Sequence, residues 1–440
     1  MASVPKLMRC MVFKLQTTEQ EEQQLLDLRI AFREAYNQYL EHMKQNNTLD
    51  KKTLEHYPVS HRLLENTRQA ARDVAIESVR SFYEVRKSNP KAQFPYQVSG
   101  PMTARLNYRD GYQVFDDHTV RISVRKGMRI RVPLLGNPEM LNILSLALQK
   151  QYRLGSAVLK QRGNASYLHI NVEIGKPVQV ADHPEQTVIG LDLNEKNLAL
   201  TAMDQNGRIR KSIVFRFSDL SATKQRFFTI RKRLQRVGQL RRIKTMKDKE
   251  HRVLKNFYHH LTRQVVEWMK QFPSPILVLE DLTLLRQHVN YGKKLNRRLH
   301  SWAFQQIQSM LHYKSQFAGI PVQYIDPAYT SQTCPVCGKK DTRNKHKRRF
   351  QCQNPSCHLT DHRDRIASVN IALKGLQNSR KPLKGSGNPT KFTVPVLKKC
   401  AFGFIRMVKL LASGVVNTPR DAGQRMIVRS SYDVPVPASG

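Results

Sequence analysis

Val188-Ile189-Gly190-Leu191-Asp192-Leu193 places a carboxylate inside an otherwise apolar run. A lone charge in a buried strand is costly, so Asp192 needs company there. Two further acids sit in comparable settings. Glu280 ends Ile276-Leu277-Val278-Leu279-Glu280, four aliphatic residues typical of a strand buried in a parallel sheet. Asp364 opens Asp364-Arg365-Ile366-Ala367-Ser368-Val369-Asn370-Ile371, which reads as a helix with Ala367, Asn370 and Ile371 toward the sheet. A hard divalent cation offsets the repulsion of three converging carboxylates, and this is how a fold gathers Mg²⁺ to cut phosphodiesters. Asp281, Asp326 and Asp361 are the nearest rivals; they read as capping, turn-ordering and positioning residues respectively.

Cysteine spacing supplies a second signal. Cys334-Pro335-Val336-Cys337 is followed by 14 residues and then by Cys352 and Cys357. Four thiolates at such spacings predict a closed, tetrahedral, structural Zn²⁺ site. His346, His358 and His362 are the substitute ligands should one cysteine fail, and Cys10 and Cys400 read as structural. Between the pairs, Lys339, Lys340, Arg343, Lys345, Lys347, Arg348 and Arg349 make a basic loop suited to phosphate.

The net charge of the 440 residues is +40. Such an excess repels itself unless a polyanion is near, so nucleic acid is the expected partner. Lys224 to Lys255 alone carries 13 basic residues against two acids, on helices whose apolar stripe is Phe227, Ile230, Leu234, Val237 and Leu240. Arg231, Arg233, Arg241 and Arg242 stand for that surface, which suits a duplex backbone or a single strand. No charge-free apolar run of 18 residues occurs, so no transmembrane helix is predicted, and the N-terminus lacks the apolar core of a secretion signal. Six cysteines in a chain of this kind point to a reducing compartment.

Along the chain, residues 6–15 read as a strand, after which Thr17 or Thr18 caps a helix with Gln20 or Glu21 completing the box. From Phe94 to Lys176 the apolar period becomes two. Val120, Ile122 and Val124 alternate with Arg121, Ser123 and Arg125, turn at Lys126-Gly127 and return through Arg129, Ile130, Arg131 and Val132. The basic face, Arg121, Arg125, Arg129 and Arg131, suits structured RNA. Residues 400–416 are apolar enough to read as one helix within a Pro-, Gly-, Ser- and Lys-rich tail.

These motifs resemble the TnpB family of transposon-encoded, RNA-guided nucleases, related to compact type V CRISPR effectors. Gly190-Leu-Asp-Leu-Asn-Glu-Lys-Asn-Leu-Ala199 is similar to the first RuvC motif, Val278-Leu-Glu-Asp-Leu282 to the second, and Asp364 to Ile371 to the third. Asp326-Pro-Ala-Tyr-Thr-Ser-Gln-Thr-Cys-Pro-Val-Cys-Gly338 is similar to the approach to the family's zinc ribbon. Departures are Asn194 where glycine is common, Ile366 and Ser368 for the usual Asn and Ala, and a second cysteine pair spaced by four.

The resemblance implies a multidomain α+β and α/β protein. A wedge β-barrel would occupy 1–16 and 93–180, with a helical recognition domain inserted at 17–92. An RNase H-like RuvC nuclease would occupy 186–376, with a zinc ribbon inserted at 328–362 and a mostly disordered tail at 377–440. Asp192, Glu280 and Asp364 would bind Mg²⁺ or Mn²⁺ for two-metal phosphodiester hydrolysis; Cys334, Cys337, Cys352 and Cys357 would bind Zn²⁺. Lys347 and Arg348 join the arginines above as expected nucleic-acid contacts. The implied partners are a guide RNA, double-stranded target DNA cut beside a short flanking motif, and the displaced single strand. One protein per RNA, with a dimer left open, in a prokaryotic cytoplasm at the nucleoid, completes the expectation. Two competitors are an RNA-guided repressor that binds without cutting and an autonomous RuvC-like transposase.

Overall fold

Alternation in Leu7–Leu15 makes β1, burying Met11, Phe13 and Leu15 on one face. Thr18 then caps α1 (Glu19–Asn46): its hydroxyl accepts from the Glu21 N–H, and the Glu21 carboxylate accepts from the Thr18 N–H at 2.8 Å. Such a cap is worth about 1 kcal/mol. The structure is a computed structural model describing residues 6–59, 62–180, 185–282, 303–341, 348–379 and 402–406. Two units divide the chain, Met1–Pro177 and Val178–Gly440.

In the first unit, α2 (Lys51–His56) and α3 (Glu65–Ser88) join α1, with Tyr36, Tyr39, Leu40 and Met43 packed against Ala75, Ile76 and Val79. The remaining elements are β2 (Ala104–Leu106), β3 (Tyr112–Val114), β4 (Thr119–Arg125), β5 (Met128–Leu135), α4 (Pro138–Leu148), β6 (Arg153–Arg162) and β7 (Ala165–Gly175). The strands form one antiparallel sheet, ordered β2-β6-β7-β1-β5-β4-β3. The Tyr112 hydroxyl on edge strand β3 donates to the Gly155 carbonyl of β6 at 2.7 Å, so the sheet curls close to a barrel. Helix α1 leans on this sheet: the Glu22 carboxylate accepts from the Ser166 N–H and hydroxyl of β7 at 3.0 and 2.7 Å. Helix α4 interrupts the stretch expected to be all strand. Asn137 caps it through the Met140 N–H and Pro138 occupies its first turn, a start signal that outweighs the strand pattern on either side.

The second unit is a sandwich around β8 (Thr187–Leu193), every residue of which is buried. It continues through β9 (Asn197–Asp204), β10 (Ile209–Arg216), α5 (Ser218–Arg236), α6 (Leu240–Met269), β11 (Pro275–Glu280), α7 (Phe304–Phe317) and β12 (Val322–Ile325). It ends with β13 (Arg349–Gln351), β14 (Thr360–His362), α8 (Arg363–Ser379) and β15 (Phe402–Arg406). The main sheet runs β12-β11-β8-β9-β10-β15. Strands β8, β9 and β10 are antiparallel neighbours; β11 and β12 run parallel to β8, and β15 runs parallel to β10. One face carries α6 and α7, through Leu261, Val265 and Leu311 against Ile189, Leu191 and Leu277. The other carries α8, through Val369, Ile371 and Ala372 against Val188 and Val278. Burial on both faces explains why β8 and β11 read as continuous apolar runs.

Two expectations fail here. Val237 and Leu240 do not extend the apolar stripe; they are 61% and 74% exposed at the α5–α6 turn, where Gly238 adopts φ +66° and reverses the chain. Phe402–Arg406 is an edge strand, not part of a helix over 400–416: a run of four apolar or small residues followed by Arg406 can borrow hydrogen bonds from β10. Among the described residues no helix is long and apolar enough to cross a membrane.

Candidate active site and metal centre

Asp192, one residue from the end of β8, is only 9% exposed. Glu280 closes β11, the parallel neighbour of β8, so both carboxylates arrive at the same end of the sheet. Asp364, also buried, stands in the first turn of α8. Burial pushes the Asp192 pKa well above the ordinary carboxylate range, and the charges of Glu280 and Asp364 push it further. Burial also raises Glu280, against a hydrogen bond from the Thr330 hydroxyl at 2.6 Å and the charge of Lys374. The fold thus holds three negative groups in mutual electrostatic reach at the cost of desolvating them, the condition a divalent cation relieves. The carboxylates stand more openly than a single-ion cage: among the described residues, only the four cysteines bring their ligand atoms all within 4.8 Å of one another. An open arrangement suits ions shared with a substrate phosphate.

Two asparagines link the first and third acids. The Asn194 amide donates to Asp192 Oδ2 at 2.6 Å and to Asn197 Oδ1 at 3.2 Å; the Asn197 amide donates to Asp364 Oδ2 at 3.0 Å. Neither amide was singled out as functional from sequence. Asn194 was visible only as a departure where glycine is common.

Helix α8 reaches the sheet because Gly190 lets it. A Cβ there would lie 2.2 Å from the Ser368 carbonyl oxygen and 2.4 Å from the Ala372 nitrogen. A buried hydroxyl chain fixes the same contact, Thr201 to Ser368 at 2.7 Å and Thr201 to Ser212 at 3.1 Å. Ser368, a departure from the family pattern, therefore has a structural use. Farther along α8, Asn370 donates to the Thr330 and Thr333 carbonyls at 2.7 and 2.8 Å, and Lys374 to the Asp326 and Ala328 carbonyls at 2.9 and 2.7 Å. Asp326 orders its turn through the Ala328 N–H, and Asp361 holds Arg365 at 2.8 Å, one residue from Asp364.

The cysteine cluster has ligand geometry. Sγ atoms of Cys334 and Cys357 lie 3.6 Å apart, and those of Cys337 and Cys352 lie 3.5 Å apart. A tetrahedron of thiolates about 2.3 Å from a zinc ion has edges of about 3.8 Å, so the four sulfurs fit that ion. Burial raises Cys334; for Cys337 burial is overcome by hydrogen bonds from the Lys339 N–H and Asn354, which bring it down to about 7. Of the reserve histidines, His358 and His362 are outside this cluster, and His346 lies outside the described residues.

The basic candidates divide. In the β4–β5 hairpin, Val120, Ile122, Ile130 and Val132 are buried while Arg129 and Arg131 are exposed on the other face; Arg125 is exposed too, but a register shift after Ser123 sets it opposite Met128. Arg131 is already engaged, paired with Asp117 at 2.8 Å and stacked 4.3 Å over Phe115; Arg121 also lies over Phe115. Arg231 pairs with Glu250 across the α5–α6 hairpin, so it braces the two helices. Arg233, Arg241 and Arg242 are exposed there, Arg242 with a bond to Gln239. Arg348 is exposed before β13; Lys347, with Arg343, Lys345 and Cys400, lies outside the described residues.

Residues 304–371 match the Cas12f1-like TNB domain family model. The chain is 30% identical over 194 residues to the TnpB-like protein MJ0751 of Methanocaldococcus jannaschii, which covers 42% of this chain and 68% of that protein. It is 29% identical over 203 residues to the CRISPR-associated endodeoxyribonuclease Cas12f2 of a Micrarchaeota archaeon, covering 43% of this chain but only 37% of that one. Among solved structures, the Cas12f1 chain of a complex with sgRNA and target DNA superposes with a TM-score of 0.57 at 16% identity, covering 81% of this chain and 83% of that one. The mini RNA-guided endonuclease CRISPR-Cas_phi3 gives 0.55 at 10% identity, covering 88% and 94%. At those identities the likeness is one of fold. Sequence kinship over most of the Methanocaldococcus protein, together with this fold, places the chain in the TnpB family, whose relatives include the compact type V effectors.

Proposed function

We propose that this protein is an RNA-guided DNA endonuclease that cuts target DNA beside a short flanking motif and serves a transposable element. The observation that carries the proposal is that Asp192, Glu280 and Asp364, from two neighbouring parallel strands and a helix start, lie at one end of the sheet within electrostatic reach of one another. Its relatives support it: one is named an endodeoxyribonuclease, and a structural neighbour was solved with sgRNA and target DNA.

In this proposal the second unit is a RuvC-like nuclease, the cysteine segment its zinc ribbon, and the first unit a wedge barrel with an inserted recognition domain. Asp192, Glu280 and Asp364 would hold Mg²⁺ or Mn²⁺, and Cys334, Cys337, Cys352 and Cys357 would hold Zn²⁺. Bound divalent ions supply Lewis-acid stabilisation of the charge that develops when a phosphodiester is hydrolysed. The chain's own contribution is orientation. Asn194 and Asn197 hold one oxygen of Asp192 and one of Asp364 through a linked pair of amides, and Thr330 fixes one oxygen of Glu280. Sequence recognition falls to base pairing, while Arg125, Arg129, Arg233, Arg241 and Arg242 offer exposed charge to RNA and DNA backbones. Retention of all three acids favours cutting over a binding-only role.

The test is plasmid cleavage by the protein purified with its co-expressed RNA. Cleavage that depends on guide match and disappears in Asp192→Ala, with guide-directed DNA binding retained, is the expected result. Guide-directed binding without cutting at saturating Mg²⁺ would point to the repressor instead.

A further inference from the structure

The segment joining β12 to the first cysteine pair is held rigidly yet shows one large ring to solvent. Tyr329 is 51% exposed and adopts φ +63°, a left-handed conformation that costs a residue with a side chain about 1–2 kcal/mol. Strain of this kind persists where surrounding contacts impose it and gathers at functional positions. Those contacts are all present. Lys374 grips the Asp326 and Ala328 carbonyls before the tyrosine, and Asn370 grips those of Thr330 and Thr333 after it. Within the turn, the Tyr329 carbonyl accepts from the Gln332 and Thr333 N–H groups. The next residue, Thr330, is turned inward, its hydroxyl on Glu280 at 2.6 Å. Adjacent residues thus face opposite ways: one touches a candidate metal-binding carboxylate, and the other displays an aromatic ring. The Lys340 ammonium lies 4.4 Å from the ring centroid, a cation–π contact that steadies the ring and sets a positive charge beside it.

We propose that Tyr329 is a nucleobase-stacking subsite for the unpaired DNA strand entering the carboxylate site, with Lys340 meeting an adjacent phosphate. An aromatic face beside a cation is the pair that single strands recognise, because every base has a π-face and every linkage a negative charge. The occupant is taken to be DNA because the ring is one residue from the Thr330–Glu280 contact, where the cut strand must lie; the subsite rests on the nuclease proposed above. A rigid turn keeps the ring's position constant while the strand slides past, so one nucleotide would be gripped at a fixed offset from the scissile linkage.

The test uses the full-length protein with its co-purified RNA and guide-matched DNA carrying one abasic nucleotide at successive positions near the cut. Tyr329→Phe and Tyr329→Trp should cut within about twofold of wild type, and Tyr329→Ala should lose about 5- to 150-fold in kcat/KM, the range of one base–aromatic stack. In the wild type, one abasic position should cause a comparable loss, and in Tyr329→Ala that same position should cause none. Tyr329→Gly separates the subsite from a structural role: glycine relieves the left-handed strain, so the variant should melt a few degrees higher while cutting as poorly as alanine. A Tyr329→Ala complex that cuts like wild type, or abasic losses that simply add to the mutation, would overturn the subsite while leaving the nuclease intact. A wild-type complex that never cuts guide-matched DNA would instead sink the nuclease proposal and take the subsite with it.

Discussion

Replacing Gly190 with alanine tests the geometry on which the carboxylate site depends. The added Cβ would lie 2.2 Å from the Ser368 carbonyl oxygen, 2.4 Å from the Ala372 nitrogen and 3.0 Å from the Ala372 Cα, all backbone atoms of α8. Ordinary carbon contacts need about 3.5–4.0 Å, and a backbone cannot rotate out of the way, so α8 must withdraw by roughly 1 Å or more. Overpacking of this kind costs about 1–3 kcal/mol. For a unit of this size that lowers Tm by about 2–12 °C. Asp364 rides on the first turn of the displaced helix, and a misplacement of about 1 Å can cost ~100-fold in rate. The expectation is a folded Gly190→Ala protein with guided cleavage down about 100-fold. Gly207→Ala is the control: Gly207 is also strained for alanine, at φ +78°, but meets no atom within 4 Å at the β9–β10 turn, so stability falls and the cutting rate does not. Gly190→Ala cutting at the wild-type rate would refute the account of how α8 is seated.

Asn194→Gly, the substitution toward the common family residue, should weaken Mn²⁺ affinity by about 10–100-fold in calorimetric titration with little change in Tm, the usual cost of losing a hydrogen bond to a metal ligand. Unchanged affinity would mean that the asparagine link does not orient Asp192. The Asp192 carboxyl is raised above its unfolded value, so the folded state holds the proton more tightly. Its contribution to stability is therefore most favourable below the unfolded carboxylate range and declines as pH rises through that range toward the raised value. Metal-free Asp192→Asn should consequently be more stable than wild type at pH ~7.5, by about 0.5–2 kcal/mol, with the gap closing near pH ~4 in thermal melts. A variant that melts lower at neutral pH would contradict the burial of Asp192 and its repulsion by Glu280 and Asp364.

The carriers of the three acids were legible in the sequence because each announces itself locally. A charge within Val188–Leu193, a charge ending Ile276–Glu280 and a charge opening a helix are short-range patterns, and two-sided burial of β8 and β11 produces the continuous apolar runs. Cysteine spacing was legible for the same reason. What escaped depends on partners far along the chain. Thr330 finds Glu280, Asn197 finds Asp364 and Thr201 finds Ser368 across gaps that no periodicity encodes. Tyr329 stands in the sequence only as one residue of the Asp326–Gly338 motif; its exposed, pinned turn depends on Asn370 and Lys374, far along the chain. Helix α4 was missed because a cap at Asn137 and Pro138 interrupts a long region of strand alternation. Val237 and Leu240 kept helical spacing but straddle Gly238, whose reversal turns them outward.

Asp364 is made 172 residues after Asp192, and helix α8 supplies both that acid and the clamps on the loop beside Glu280. At ribosomal speeds of about 5–20 residues per second, the first acid waits roughly 10–35 s for its last companion. A nascent chain, or one truncated by a premature stop, can pair β8 with β9 and still lack the third acid. On the nuclease proposed above, cutting is thereby postponed until translation has passed the cysteine segment, a safeguard arising from the order of the polypeptide alone.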